Sequence, residues 1–125
     1  MINVLINGIG GKMGKMLFNQ IQASEKFNCV GGIDKDTDIN EIEILPDVII
    51  DFSTPVATLS MLKFAIERNI PVVIATTGFS DSEIKTIEEY SKTIPIFKSA
   101  NMSYETNLMI SLVSKLAKEL HNSDI

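Results

Sequence analysis

The sequence predicts an α/β domain built on a doubly wound parallel sheet. Three observations predict it. Short apolar segments of strand length alternate with segments of helical periodicity. The strand segments are continuously apolar rather than alternating, so both faces of their sheet are covered, as in parallel sheets. Crossovers between parallel strands are right-handed, which winds the chain over both faces. At 125 residues the chain suits one domain.

The elements follow in order. The apolar run Ile2–Ile6 predicts a buried strand. Residues 12–24 predict a helix, with Met13, Met16, Leu17, Gln20 and Ile21 at helical spacing. "FNCVGGI", residues 27–33, predicts a second strand that ends in the polar turn "DKDTD". Residues 38–46 are ambiguous between a vestigial strand and a turn. "DVIIDF", residues 47–52, predicts a strand, and residues 54–69 a helix with Leu59, Leu62, Phe64 and Ile66 available for packing. "PVVIA", residues 71–75, is the next strand. Residues 81–92 form a helix with Ser80 or Asp81 as its N-cap. Residues 94–97 form a further strand. A last helix runs from about Thr106 to His121, with Leu108, Leu112, Val113, Leu116 and Leu120 on one face. No internal repeat, low-complexity segment or linker interrupts this pattern.

Composition narrows the function. Apolar residues make up 45% of the chain and charged residues 22%, enough for a core with a solvated surface. The net charge of −5 argues against a general nucleic-acid binder, though a few residues suffice for a local anion site. Cys29 is the only cysteine, so no internal disulfide or zinc cluster is expected, and it reads as a small buried hydrophobe. This fits a reducing cytoplasm. The start "MINVLING" lacks a basic leader region, and no apolar run approaches the ~18 residues of a membrane span.

The chemistry concentrates in "NGIGGKMGKM", residues 7–16, with four glycines and two lysines directly after the first strand. Lysines at a helix start lie at its positive end, the wrong end for them unless an anion is there. Helix N-terminal N–H groups lack partners, and a phosphate satisfies them. Gly8, Gly10 and Gly11 let the backbone turn and approach a pyrophosphate, and Gly14 lets the helix pack closely. The strict G-x-G-x-x-G pattern would need glycine at Met13; the chain carries the looser Gly8-x-x-Gly11-x-x-Gly14. A mononucleotide P-loop ending at Gly14-Lys15 would need glycine at Ile9 and a hydroxyl at Met16, so it does not fit. A glycine-rich turn that binds nothing is the bland alternative, and simple solvent exposure explains Lys15.

A dinucleotide site places a carboxylate on the adenine ribose about 20 residues beyond the glycines. Asp34 lies at that distance, and Lys35 beside it could neutralise a 2′-phosphate. The pair suggests use of NADH with some tolerance of NADPH. On its own, "DKDTD" reads equally as a solvated turn.

Taken together, "GIGGKMG", "DVIIDFSTP", "ATTGF" and "SANMS" closely resemble the N-terminal domain of the dihydrodipicolinate reductase family, also called 4-hydroxy-tetrahydrodipicolinate reductases, of lysine and diaminopimelate biosynthesis. The resemblance covers essentially the whole chain. It implies a Rossmann-like domain, residues 1–125, that binds NADH or NADPH. Gly8, Gly11, Lys12, Met13 and Gly14 match the family's phosphate-binding turn, with Gly10 inside it. Asp34 and Lys35 match its ribose pair. Ala75, Thr76, Thr77 and Gly78 match the loop beside the nicotinamide, where the family often has glycine at the position of Ala75. Ala100, Asn101 and Met102 match the segment whose backbone contacts the carboxamide. "ATTGF" also directly follows a strand, at the carboxyl edge where open α/β sheets bind ligands. Phe79 either borders the nicotinamide or belongs to the core.

Two departures matter. After the Asn-x-Ser motif the family commonly has Gly-x-Asn, whereas here Glu105-Thr106-Asn107 follows. The family's second domain, with its His-His-x-x-Lys and Asp-Ala-Pro-Ser-Gly-Thr stretches for substrate, is not in this sequence, which stops at "HNSDI". His121 is read as a helix-end histidine favoured by the dipole. No catalytic or metal-ligating residue is therefore assigned. The resemblance implies reduction of a cyclic dicarboxylate to tetrahydrodipicolinate by the complete enzyme, a homotetramer, with this chain alone inactive. No nucleic-acid or membrane partner is expected. The alternative is a stand-alone, non-catalytic NAD(P)(H)-binding or redox-sensing module, and a nicotinamide domain of another dehydrogenase family is a second rival.

Overall fold

A computed structural model describes residues 2–98. The elements are β1 (Ile2–Asn7), α1 (Lys12–Ala23), β2 (Phe27–Ile33), a 3-10 turn (Ile39–Glu41), β3 (Val48–Asp51), α2 (Pro55–Arg68), β4 (Val72–Ile74), α3 (Asp81–Tyr90) and β5 (Ile96–Lys98). The strands form one parallel sheet in the order β2-β1-β3-β4-β5. Strand order reverses at β1, which opens a crevice at the carboxyl ends of β1 and β3, where such sheets bind ligands.

The two faces of the sheet have separate cores. On one, Leu17 and Ile21 of α1 pack on Val4, Ile6, Val48 and Ile50. On the other, Met61, Leu62 and Ala65 of α2 and Ile87 of α3 pack on Leu5, Ile49, Val72 and Ile74. Burying one such aliphatic side chain contributes about 1.5–3 kcal/mol. The continuous apolar strands β1, β3 and β4 are thus covered on both sides, as their pattern predicts.

Helix boundaries follow local chemistry. The Thr54 hydroxyl accepts from Ala57 N–H, Pro55 opens α2, and Asn69 ends it in the left-handed conformation at φ 59°. Ser80 caps α3 in a reciprocal capping box: its hydroxyl accepts from Glu83 N–H, and the Glu83 carboxylate accepts from Ser80 N–H at 2.7 Å. Of the two residues offered by the sequence, Ser80 is the cap.

Some expectations change. Of the two alternatives open for residues 38–46 the turn is the one formed, as the 3-10 turn capped by Asp38. β2 lies at the sheet edge, so Asn28 is exposed and Cys29 only half-buried, not buried as its apolar surroundings suggested. Burial pushes the Cys29 thiol up from its ordinary value, and its S–H donates to the Gly31 carbonyl at 3.3 Å. Met16, read as part of the packing stripe, is 44% exposed because α1 turns only Gly14, Leu17 and Ile21 fully inward. The predicted helix 106–121, Glu105 and His121 lie outside the described residues.

Candidate functional site at the carboxyl edge of the sheet

The glycine turn is built by two close approaches. Gly8 has φ +91°, and a Cβ there would meet the Phe52 carbonyl oxygen of the chain leaving β3. A Cβ on Gly14 would meet the Gly8 carbonyl oxygen and Ile9 Cα. The close packing that Gly14 permits is therefore of α1 on the turn itself. The turn is moored to β2 by Gly8 N–H and Ile9 N–H, both donating to the Ile33 carbonyl at 2.7 and 3.1 Å.

Gly10 and Gly11 are different. Both are exposed. A Cβ on Gly10 would make ordinary contacts at 3.6 Å with Asp34, and one on Gly11 a single contact at 3.5 Å with the Gly8 carbonyl oxygen. Gly11 is also the N-cap of α1, with an extended backbone that any residue adopts (φ −79°, ψ 169°). It has no side chain to cap the helix, and no acidic residue lies in the first turn. The α1 N-terminus thus presents its N–H groups to the crevice, with Lys12 and Lys15 exposed beside them. This is a place for an anion.

Asp34 directly follows β2 and folds its own turn. Its Oδ1 accepts from Asp36 N–H and from the Thr37 hydroxyl, both at 3.0 Å. These bonds, chiefly that from Asp36, hold the carboxyl below its ordinary value. The reading of "DKDTD" as a solvated turn is therefore correct for Oδ1, while Oδ2 is turned toward Gly10.

These pieces line a groove of about 1020 Å³. Gly8, Gly10, Gly11, Asp34 and Lys35 form one part of it, as the sequence anticipates. The opposite wall comes from α2 through Val56, Ser60, Lys63, Phe64 and Glu67, which sequence reasoning assigned only to packing or left unassigned. The groove is open because only a 3-10 turn, not a helix, connects β2 to β3. Lys12, Met13 and Gly14, the first residues of α1 after Gly11, are not among the residues that line it.

The loop after β4 lies at the same edge. Ala75 and Thr76 are buried, at 5% and 6% exposure, while Thr77 and Gly78 are exposed. The Thr76 hydroxyl is already engaged: it donates to Asp51 Oδ2 and accepts from Ser53 N–H, both at 2.8 Å. Of the two threonines matched to the nicotinamide loop, only Thr77 is exposed. Gly78 has φ +89° and open space where a Cβ would stand. Phe79 packs against the α2–α3 core. Ala100, Asn101 and Met102 lie outside the described residues.

Sequence reasoning missed Asp51. It is fully buried and accepts from Asn7 Nδ2 at 2.9 Å, Ser53 Oγ at 2.5 Å, Thr58 Oγ1 at 2.5 Å and Thr76 Oγ1 at 2.8 Å. Burial pushes its carboxyl up, against the opposing pull of those hydrogen bonds. A carboxylate at the end of the apolar run "DVIIDF", with hydroxyl residues close behind, was the available signal.

Among the described residues, no group of three or more His, Cys, Asp or Glu side chains is placed to hold a metal ion, and no helix is long and apolar enough to cross a membrane.

Comparison with known proteins agrees with this geometry. A family profile described as "Dihydrodipicolinate reductase, N-terminus" matches residues 2–102. The 4-hydroxy-tetrahydrodipicolinate reductase of Caldanaerobacter subterraneus subsp. tengcongensis is 47% identical, with all of this chain matched to 53% of that protein. The corresponding reductase of Clostridium novyi is 39% identical, again over the whole chain and 54% of the relative. The dipicolinate-bound dihydrodipicolinate reductase of Paenisporosarcina sp. TG-14 shares the fold, with a TM-score of 0.58 at 24% identity over 73% of this chain and 43% of that one. The chain spans about half the length of the curated relatives it matches. A stand-alone sensing module is not favoured by these matches. The chain belongs to the dihydrodipicolinate reductase family and corresponds to its N-terminal domain.

Proposed function

We propose that this chain is the NAD(P)H-binding domain of a reductase that converts a cyclic dicarboxylate to tetrahydrodipicolinate in lysine and diaminopimelate biosynthesis. One observation carries the reading. Gly10 and Gly11 are glycines that the fold does not require, at the uncapped start of a helix that opens with Lys12. Close backbone approach by a pyrophosphate accounts for all three features.

The residues present fit such a cofactor. Within Gly10–Gly14, the N–H groups other than that of Gly11, which donates to the Gly8 carbonyl at 3.2 Å, would take the pyrophosphate, with Lys12 adding positive charge. Asp34 Oδ2 would accept from the adenine ribose, with Lys35 next to a 2′-phosphate. Thr77 and Gly78 would flank the nicotinamide, with residues 100–102 completing that end. The cofactor, either NADH or NADPH, supplies the hydride; this domain binds and orients it. The clamp for the substrate's carboxylates belongs to the family's second domain. Full-length homotetramer formation and a cytoplasmic location complete the proposal.

Calorimetric titration of the chain with NADH and NADPH tests it. Saturable binding of either is expected, and a folded Gly11→Val protein should lose it. Unchanged affinity in that variant would refute the placement of the pyrophosphate.

A further inference from the structure

Asp51 does not itself line the groove but hydrogen-bonds two residues that do, Asn7 and Ser53. Its two oxygens accept hydrogen bonds from four side chains on separate segments of the carboxyl edge. Asn7 ends β1 immediately before Gly8, Ser53 lies in the turn after β3, Thr58 belongs to α2, and Thr76 follows β4. Main-chain bonds tie the same segments. Phe52 N–H donates to the Asn7 carbonyl at 2.8 Å, and Ala75 N–H to the Asp51 carbonyl at 2.9 Å. Among the described residues no cation pairs with the carboxylate, so its surroundings are four neutral donors. A buried carboxyl is expensive unless its oxygens are satisfied. Leucine or valine would fill the end of a buried strand at less cost, as Val48, Ile49 and Ile50 do before it.

This arrangement joins the glycine turn, which lines the groove, to the loop after β4 at the same edge of the sheet. Asn7 fixes the residue from which the glycine turn departs. Thr76 fixes the residue from which Thr77 and Gly78 depart. Both are held by the same carboxyl group, and the Thr76 hydroxyl passes the constraint to Ser53 N–H. We infer that Asp51 is a positioning residue: it sets the distance between the glycine turn and the Thr77–Gly78 loop, and so lets one dinucleotide engage both. This rests on the reading of the groove as a dinucleotide site. Asp51 acts through Asn7 and Thr76 and does not touch the ligand.

The test compares a ligand that spans the turn and the loop with one that reaches only the turn. Wild-type chain, Asp51→Asn, Thr76→Val and Thr76→Ser are titrated with the preferred one of NADH and NADPH. They are also titrated with the matching ADP-ribose or 2′-phospho-ADP-ribose, which lacks the nicotinamide. Asp51→Asn and Thr76→Val should lose about tenfold in affinity for the dinucleotide, the worth of a hydrogen bond to a charged group. Affinity for the ribose fragment should stay within about twofold. Thr76→Ser keeps the hydroxyl and should bind like wild type. If Asp51→Asn does not fold, the Thr76 pair decides alone. Equal loss for both ligands would show a merely structural role and overturn the inference, as would no loss for either. A wild-type chain that binds the fragment as tightly as the dinucleotide also overturns it. A wild-type chain that binds neither overturns the dinucleotide reading and this inference with it.

Discussion

Asp34 Oδ2 lies 3.6 Å from the point where a Cβ on Gly10 would stand, so the end of β2 and the glycine turn share one wall of the groove. A ligand held by the turn necessarily passes the carboxylate. The two features were read from the sequence as separate signals some 20 residues apart, and the parallel pairing of β1 with β2 unites them.

The glycines of the turn separate into two experimental classes. Gly14→Ala should destabilise the domain by about 1–3 kcal/mol, because its Cβ would collide with main-chain atoms that cannot rotate away. Gly11→Val should leave the melting temperature nearly unchanged while abolishing dinucleotide binding. Thermal melts and titrations of both proteins check this, and a Gly14→Ala protein as stable as wild type would contradict the packing described.

Lys35→Ala should weaken NADPH more than NADH. Lys35 is exposed, so the difference is expected near 1 kcal/mol rather than the larger value of a buried charge-assisted bond. Parallel calorimetric titrations measure it. An equal loss for both cofactors would mean that the lysine contributes only general positive charge.

Asp51 and Asp34 should give pH dependences of opposite sign. The Asp51 carboxyl is raised in the folded chain, chiefly by burial. The native state therefore holds its proton more tightly than the unfolded state. Its contribution to stability is fully present below the ordinary carboxylate value and is lost as pH rises through the raised value. Asp34 is lowered, chiefly by the Asp36 N–H, so its contribution is present above the ordinary value and is lost as pH falls through the lowered one. Denaturation profiles from pH 3 to 8, with Asp51→Asn and Asp34→Asn each compared with wild type, separate the two. Difference curves of the same sign would disprove the assignment.

The purified chain should not oxidise NADPH when given the enzymatically generated cyclic substrate. Arg68, the only arginine, lies at the end of α2 and is not among the residues that line the groove. It stacks on the Phe64 ring at 3.8 Å and pairs with Glu67. Without a clamp no near-attack geometry forms. Substrate-dependent loss of nicotinamide absorbance at enzymatic rates would show that residues 2–98 do not contain the whole answer.

Most of the fold was legible because it depends on local pattern. The bounds of β2 coincide with its apolar run, and Ser80 with Glu83 announces α3 by spacing alone. The glycine turn and Asp34 were legible because both immediately follow strands. The α2 wall was not, since Ser60 and Lys63 reach the groove only after the chain has crossed the sheet. Asp51 was hidden for a related reason. An aspartate after an apolar run reads as the residue where burial stops, and only the convergence of three strand ends makes it fully buried. The engagement of Thr76 could not be read without it.

The glycine turn also holds a means of telling use from ancestry. Gly8 and Gly14 are fixed by collisions within the chain, whatever the chain is for. Gly10 and Gly11 are defended by nothing internal. A descendant released from ligand binding would be free to fill the middle two positions and would still be held to the outer two. A relative that reads Gly-x-x-x-x-x-Gly here, with bulky residues inside, would therefore have kept this architecture and abandoned its ligand.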